Sequence, residues 1–318
     1  MSMTDIMWVE KYRPTKLSDI VGQTEIIKSI EALLKNQSEM PHLLFSGSAG
    51  VGKTTTALCL THHILGKNRK NNVLELNASD ERGIGMVRER VKKFSRFVSM
   101  GADVPFKIII LDEADEMTSD AQTALRRIIE DTAKYCRFIL IANNVSKIIG
   151  PIQSRCSAFK FSGISKKELT AHLKTIAKSE KIKVDEEGLN TIYEHAKGDL
   201  RHSINILQTV SSSGDVTVDN VKAISGLAKS QDVEGILAKA IKGDVSTART
   251  EMIELIKLQG MSEADFLKYI NQAANKMELE NLSKVIQIIA KYDYRILVGA
   301  NAEIQLSALL SELSNIEN

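Results

Sequence analysis

Eight consecutive residues near the start of the chain combine three glycines with a lysine and a threonine, a set that suits phosphate binding. They run from Gly47 to Thr54, fit the pattern G-x-x-x-x-G-K-T and directly follow an apolar segment. Glycines leave room for backbone amides to surround a phosphate, and the N-terminus of the next helix, predicted over Thr55–Leu65, favours negative charge. We predict that Lys53 contacts the β- and γ-phosphates of ATP and that Thr54 ligates Mg²⁺. The residues predicted to contact the nucleotide here are Gly47, Ser48, Ala49, Gly50, Val51, Gly52, Lys53, Thr54 and Thr55.

Two adjacent acids supply the second half of a hydrolytic site. Asp112 and Glu113 follow Ile108–Leu111, a run of four branched apolar residues that predicts a strand buried on both faces. Parallel strands deliver the residues that follow them to one edge of the sheet, where the phosphates also lie. We expect Asp112 to hold Mg²⁺, directly or through water, and Glu113 to polarise the attacking water. Since a scaffold that only binds ATP can dispense with Glu113, the intact pair predicts hydrolysis.

The elements that position these residues follow from the apolar pattern. The first half of the chain alternates short apolar runs with amphipathic stretches, which is typical of a parallel sheet flanked by helices. The candidate strands are His42–Ser46, Val73–Asn77, Phe106–Leu111, Phe138–Ala142 and Ser157–Phe161. Beyond residue 166 the spacing becomes helical, with Gly198 as a helix stop and Asp199 as an N-cap. The helices predicted there are Lys166–Lys178, Glu186–Ala196 and Leu200–Ser211.

The length of the chain and the positions of helix-breaking segments predict three domains. A chain of 318 residues is long for one core. We predict an α/β nucleotide-binding domain over residues 1–162, a helical lid over 163–227 and a helical C-terminal domain over 228–318. The second boundary is placed in the stretch Gly226–Asp232, and Gly243, Gly260 and Met277–Glu280 separate the helices beyond it.

Composition excludes several other classes of protein. Three cysteines without a C-x-x-C pair argue against a disulfide framework and a cysteine-rich zinc site. No stretch of about 20 apolar residues occurs, so we expect no membrane span and a cytoplasmic protein, or a nuclear one if the source has a nucleus. A net charge of +2 means that any DNA contact must come from a local group of basic residues. An aromatic content of 5% argues against a subunit that grips single-stranded DNA by stacking many bases.

Five short segments, in order along the first half of the chain, resemble replication factor C small subunits of the archaeal and eukaryotic type. They are W-V-E-K-Y-R-P at Trp8–Pro14, V-G-Q at Val21–Gln23, L-N-A-S-D-E-R-G at Leu76–Gly83, D-E-A-D at Asp112–Asp115 and S-R-C at Ser154–Cys156. The first and last of these are far more specific than the phosphate loop, which many unrelated NTPases share. The resemblance implies an α/β AAA+ P-loop NTPase module with a parallel sheet, followed by an all-α lid and an all-α collar.

The resemblance also implies roles for individual residues around ATP. An adenine pocket would be lined by Val9, Tyr12, Arg13, Pro14 and Val21; without the resemblance, this segment would simply be an arm packed on the sheet.

Two residues match sensors of the nucleotide state, and a third matches a residue that acts on the catalytic glutamate. Asn143 matches the first sensor, close to the γ-phosphate, and Arg201 matches the second sensor, carried by the lid. Asn77 matches the residue that restrains the catalytic glutamate. The arginine of the S-R-C box, Arg155, would reach in trans into the ATP site of a neighbouring subunit.

DNA and clamp contacts are also implied by the resemblance. Arg82, Arg88 and Lys92 lie on or before a basic helix that tracks the phosphates of duplex DNA in clamp loaders, although a solvated surface is the alternative. Residues 97–104 correspond to a clamp-contacting segment, with core packing of Phe97 as the alternative.

The function implied is that of an ATPase that opens a PCNA-type sliding clamp and loads it onto primed template DNA at a double-stranded/single-stranded junction. Its partners would be a large subunit and other small subunits, in a hetero-pentamer. Two alternatives stay open. One is a ring-forming AAA+ DNA motor of the branch-migration type, which usually carries a C-terminal winged helix; residues 232–318 show no basic recognition helix. The other is a non-hydrolysing, ATP-dependent scaffold or initiator subunit.

Overall fold

The computed structural model describes residues 7–80, 85, 87–96, 104–225, 227–258, 260–277 and 281–316. The chain divides into two compact units, Met1–Val218 and Asp219–Asn318. In the described residues, none of the helices combines the length and the apolar character that a membrane crossing requires.

The first unit is built on a parallel sheet of five strands. Their order is β2-β3-β4-β1-β5, so the strand that leads into the glycine loop lies between β4 and the edge strand β5. The strands are β1 His42–Ser46, β2 Val73–Asn77, β3 Lys107–Asp112, β4 Cys136–Ala142 and β5 Cys156–Lys160. All five predicted strands are therefore confirmed, with ends that move by no more than two residues.

Alternate residues of the central strands enter two separate cores. Ile108 and Ile110 of β3 pack on one side of the sheet with the first helix after β1, whereas Ile109 and Leu111 pack on the other side with the helix before β4. Because successive side chains of a strand point to opposite faces, a strand covered on both sides must be apolar throughout. The run Ile108–Leu111 is buried at every position, as the sequence predicts.

The principal helices of this unit flank the sheet and form the lid. The helices of the lid begin at side-chain caps: Ser165, Asp185 and Asp199 each accept a hydrogen bond from a backbone amide of the first turn. The helices are α1 Trp8–Lys11, α2 Thr24–Leu34, α3 Lys53–Leu65, α4 Ser119–Thr132, α5 Lys166–Ser179, α6 Glu186–Ala196 and α7 Leu200–Ser211. Shorter helical segments are Leu17–Asp19, Gln37–Glu39, Gly66–Asn68, Arg69–Asn72, Val87–Val91, Lys92–Arg96, Ala114–Glu116, Val145–Lys147 and Gly150–Gln153.

In its described residues, the second unit is helical throughout. Its core includes Leu237, Met252, Phe266, Ile270 and Leu309, all at most 1% exposed. The helices are α8 Val218–Ser225, which begins at the division between the units, α9 Leu227–Ile241, α10 Val245–Lys257, α11 Glu263–Lys276, α12 Leu282–Leu297 and α13 Ala302–Leu313.

The predicted domain boundary at Gly226–Asp232 overlaps a helix in its described residues. Residues 227–232 form the start of α9, and the division between the compact units lies earlier, between Val218 and Asp219. The division into residues 1–162, 163–227 and 228–318 stays a proposal.

His42, at the start of β1, is a buried histidine that should make the stability of the first unit depend on pH. The backbone amide of Phe138 donates to His42 Nδ1 at 3.1 Å, so the ring is held neutral. Burial, with a smaller contribution from the charge of Arg137, lowers the pKa of His42 to about 4, against about 6.5 in an unfolded chain. As the pH falls below about 6.5 the unfolded chain takes up the proton first, so stability present above that pH is lost progressively down to about pH 4.

We expect this one ring to remove about 3 kcal/mol of unfolding free energy between about pH 7 and about pH 4. Urea unfolding at several pH values measures the loss, and His42→Asn should flatten the curve. The matched control is His63→Asn, at an exposed position of α3, which should leave the curve unchanged. Identical pH dependence in the wild type and His42→Asn would contradict the assignment.

Candidate nucleotide-binding and hydrolysis site

The loop between β1 and α3 has a backbone that requires glycine at two points. Gly47 has φ 144°, and a β-carbon there would lie 2.3 Å from the carbonyl oxygen of Phe161. Gly50 has φ 69°, and a β-carbon there would lie 1.7 Å from Asp199 Oδ1 in the lid. Any residue with a β-carbon would clash at these two positions and would be strained by the positive φ. The loop can therefore turn sharply at the end of β1 and present its amides at the N-terminus of α3.

Lys53, the first residue of α3, points back into the loop. Its Nζ donates to the carbonyl oxygens of Gly47 and Ser48, both at 2.7 Å, and to Asn143 Oδ1 at 2.9 Å. The residue is 6% exposed. Burial lowers the pKa of Lys53, while the negative charges of Asp112 and Asp115 act in the opposite direction. A buried ammonium group is thus held where the loop, the acids and Asn143 meet.

The two acids at the end of β3, Asp112 and Glu113, have different environments. Asp112 Oδ2 accepts a hydrogen bond from the Thr54 hydroxyl at 2.7 Å, and Asp112 Oδ1 accepts one from the Glu113 amide at 2.9 Å. Glu113 itself adopts a left-handed backbone, with φ 53° and ψ 39°. Non-glycine residues rarely adopt this conformation, and such strain is found preferentially at functional sites. Asp112 is bonded to Thr54, whereas Glu113 precedes the short helix Ala114–Glu116.

These residues line one cavity together with the N-terminal arm and the lid. It contains most of the predicted nucleotide-contacting residues: Val9, Tyr12, Arg13, Pro14, Val21, Ala49, Gly50, Val51, Gly52, Lys53, Thr54, Thr55, Asp112, Glu113, Asn143 and Arg201. Gly47 and Ser48 contribute the carbonyl groups that bind Lys53 instead.

Sequence reasoning missed five residues of this cavity: Ile20, Ile164, His172, Leu200 and Ile204. Leu200 and Ile204 could have been found, because they lie one and three positions from Arg201 on the same helix. His172 gave no local signal, since it becomes part of the cavity only when α5 packs there. Burial lowers the pKa of His172.

The lid contacts both the glycine loop and the arm. The backbone amide of Leu200 donates to the Gly50 carbonyl oxygen at 3.1 Å. From the arm, the Trp8 amide donates to Gln208 Oε1 at 2.9 Å, and Lys11 Nζ pairs with Glu180 Oε1, which also accepts from the Tyr12 hydroxyl. The arm is therefore bonded to lid helices, which differs from the simple interpretation of an arm packed on the sheet.

Arg155 lies at the opposite edge of the sheet from the glycine loop. It directly precedes β5, and the pairing of His42 with Cys156 places the start of β5 beside the start of β1. The loop follows the other end of β1, roughly five residues or about 16 Å along the strand. Arg155 Nη2 pairs with Glu130 Oε1 at 2.5 Å, and its side chain is 37% exposed. The described residues that line the cavity do not include Arg155.

The remaining predicted residues divide between described and undescribed parts of the chain. Asn77 pairs with Asp112 in the sheet register, and its side-chain oxygen accepts from the Ser79 amide at 2.9 Å. Arg82 and residues 97–103 lie outside the described residues, and Val104 is buried. For Arg88 the backbone in Val87–Val91 is described but the side chain is not, and Lys92 is exposed.

Four features together define an ATPase of the AAA+ class. They are a parallel sheet of this strand order, a glycine loop leading into a helix, an acid pair at the end of β3 and a helical lid over the cavity. Solved structures of the RuvB branch-migration motor from Thermotoga maritima share this fold. One matches with a TM-score of 0.56 and 16% identity, covering 83% of this chain and 91% of that one. A point mutant of the same motor matches with a TM-score of 0.55 and 16% identity, covering 77% and 88%. Identity at this level shows the fold alone.

Family models and relatives specify the protein further. Three models match: DNA polymerase III, delta subunit over residues 22–165, RCF1/5-like, AAA+ ATPase lid domain over 171–212, and Replication factor C C-terminal domain over 228–312. The Replication factor C small subunit of Aeropyrum pernix is 46% identical over 317 residues, covering 98% of this chain and 97% of the relative. That of Methanococcus vannielii is 44% identical, covering 98% and 99%. The chain belongs to the replication factor C small subunit family, and it is a clamp-loader ATPase subunit of DNA replication.

Proposed function

We propose that the chain uses ATP to help open a PCNA-type sliding clamp and load it onto primed template DNA. The observation that carries the proposal is the division of the catalytic set across the sheet. Lys53, Thr54, Asp112, Glu113 and Asn143 surround one cavity, whereas Arg155 lies at the other edge of the same sheet. A site that needs this arginine is incomplete in one chain, so hydrolysis depends on a neighbouring subunit.

Within one chain, the phosphate-binding roles follow from the contacts. Lys53 can exchange its bonds to loop carbonyls for bonds to the β- and γ-phosphates, and Asn143, already 2.9 Å from Lys53 Nζ, lies close enough to sense the γ-phosphate. Arg201 brings the lid to the same cavity. Loss or gain of the γ-phosphate would then change the angle of the lid through this arginine.

Mg²⁺ fits the pair formed by Thr54 and Asp112. Their side-chain oxygens lie 2.7 Å apart, and hydroxyl and carboxylate oxygens are the ligands that Mg²⁺ prefers. The ion would neutralise charge on the phosphates when bound. Glu113 has a left-handed backbone and takes no part in the bond between Asp112 and Thr54. Its carboxylate would polarise the attacking water.

Assembly would supply the missing parts. Arg155 would enter the ATP site of the next subunit, in a hetero-pentamer with a large subunit and other small subunits. Its exposed side chain and its position beside the edge strand β5 suit contact with another chain. The ion pair with Glu130 is partly exposed, and such pairs contribute only about 0–1 kcal/mol. The pair can therefore exchange for a contact with phosphate.

DNA contact would come from the helical segment that contains Arg88 and Lys92, with Arg82 before it. In this segment Val91 and Ser95 are buried, whereas Lys92 and Lys93 are exposed, so one face packs on the protein and basic side chains face outward. Phosphate contacts repeated by several subunits would let a chain of net charge +2 bind DNA as part of an assembly. Residues 97–104 were predicted to contact the clamp; Val104 is buried, so the proposed contact is limited to residues 97–103.

The branch-migration alternative has less support. A winged helix contains a β-hairpin, and residues 219–318, as far as they are described, form helices and connecting turns without a strand. The non-hydrolysing scaffold also has less support, because it has no need of Glu113.

ATP turnover of the complex with its large subunit tests the proposal. Turnover is measured alone, with primed DNA, with clamp and with both, and we expect a severalfold increase that is largest with both. Complexes carrying Lys53→Ala set the background. Equal turnover in all four conditions would overturn the proposal, and stimulation by DNA that ignores the clamp would favour a motor.

A further inference from the structure

Asp115, the last acid of the D-E-A-D segment, is buried and lies outside the set of side chains that line the cavity. It is 6% exposed. Its Oδ1 accepts a hydrogen bond from the Asn143 backbone amide at 3.2 Å, and its Oδ2 accepts one from the Asn144 amide at 2.9 Å. A buried carboxylate is costly unless it is bonded, and here each oxygen has a backbone donor. The turn after β3 is thereby joined to the loop after β4.

The bonded loop carries the proposed first sensor. The Asn143 side chain accepts from Lys53 Nζ at 2.9 Å, while its own backbone amide is held by Asp115. A chain of contacts therefore runs from Asp115 through Asn143 to Lys53. Because the Asn143 backbone is fixed by a hydrogen bond, its side chain can occupy fewer positions. Catalytic geometry is sensitive to shifts of about 1 Å.

We propose that Asp115 is a positioning residue for ATP hydrolysis, which holds the backbone of Asn143 and Asn144 so that the Asn143 amide group faces Lys53 and the γ-phosphate. The inference rests on the proposed role of Asn143. The negative charge of Asp115 also acts on Lys53: it raises the pKa of the lysine, whereas burial lowers it. Asp115 thus acts through its neighbours and takes no direct part in the chemical step.

The test replaces Asp115→Asn in the assembled complex. Asparagine keeps the size of the side chain and one acceptor oxygen, but its NH₂ group meets a second N–H donor, so one of the two bonds is lost. We expect kcat to fall about 10- to 100-fold, in the range of a lost preorganising contact, with ATP affinity within about threefold. The matched control is Asp120→Asn, which removes an exposed acid from the start of α4 and should change neither quantity.

A double-mutant cycle separates positioning from a merely structural role. If Asp115 acts through Asn143, Asp115→Asn should slow the wild type but have little further effect in an Asn143→Ala background. Losses that multiply in the double variant, or an unchanged kcat in Asp115→Asn, would overturn the inference. If Asp115→Asn does not fold, Asp115→Glu, which keeps the charge but displaces the carboxylate by one methylene, replaces it in the same cycle. An Asn143→Ala variant with normal kcat would instead contradict the proposed sensor.

Discussion

Complexes in which every copy of this chain carries Arg155→Ala are expected to lose about a thousandfold or more in ATP turnover, the effect typical of an arginine supplied in trans. The reason is the position of Arg155 before β5, at the edge of the sheet away from Lys53. Binding of ATP by the altered chain should be nearly normal, because its own loop and acids are intact. Turnover assays and a fluorescent ATP analogue measure the two quantities separately. Arg127→Ala, at an exposed position of α4, is the matched control.

Mixing two inactive chains gives the decisive form of this experiment. An Arg155→Ala chain and a Lys53→Ala chain should regain turnover at interfaces where an intact loop meets an intact arginine. Restoration requires that two chains share one site. If mixed complexes form normally and turn over no faster than either variant alone, Arg155 acts in its own subunit or not at all, and the assembly argument fails.

Replacement of Glu113→Gln is expected to lower ATP turnover by about a hundred- to ten-thousandfold, the range for loss of a general base. ATP binding should be preserved, since the phosphate contacts from Lys53 and the loop are unchanged. Lys53→Ala should instead abolish turnover, because it removes the contacts of the lysine with the phosphates. Single-turnover hydrolysis and equilibrium binding distinguish the two effects.

Glu116→Gln provides the control, because it makes the same chemical change three residues away on the same turn. Glu116 pairs with Lys147 at 3.0 Å on the surface, and loss of such a pair has a small effect. Near-normal turnover in Glu113→Gln would contradict the assignment of the catalytic base and would favour the scaffold alternative.

Features that depend on short stretches of chain were predictable from the sequence. The strand Ile108–Leu111 is apolar at every position because both of its faces are covered, and the glycine loop is recognisable because its backbone excludes side chains. The Asp199 cap acts on the amide three residues later, so the start of α7 is a local property. These signals placed the loop, the acid pair and the lid helices.

Contacts between distant segments were decided by the tertiary structure. His172 becomes a wall of the cavity, and Glu180 binds Tyr12, only because the lid packs against the N-terminal arm. No periodicity encodes which helix face meets a segment 168 residues away in the chain. The resemblance placed the arm at the nucleotide, and Val9, Tyr12, Arg13 and Pro14 line the cavity, while the bonds of the arm to the lid had no signal in the sequence.

The acidic segment Asp112–Asp115 shows the same division at the scale of four residues. From the sequence alone it follows that three acids come at or just after the end of a buried strand, and hence that they lie at the carboxyl edge of the sheet. The role of each acid depends on its tertiary contacts: Asp112 binds Thr54, Glu113 has a left-handed backbone, and Asp115 is bonded to the amides of Asn143 and Asn144. That outcome required the loop after β4 to lie beside β3, and strand order is a property of the whole sheet that no local pattern specifies.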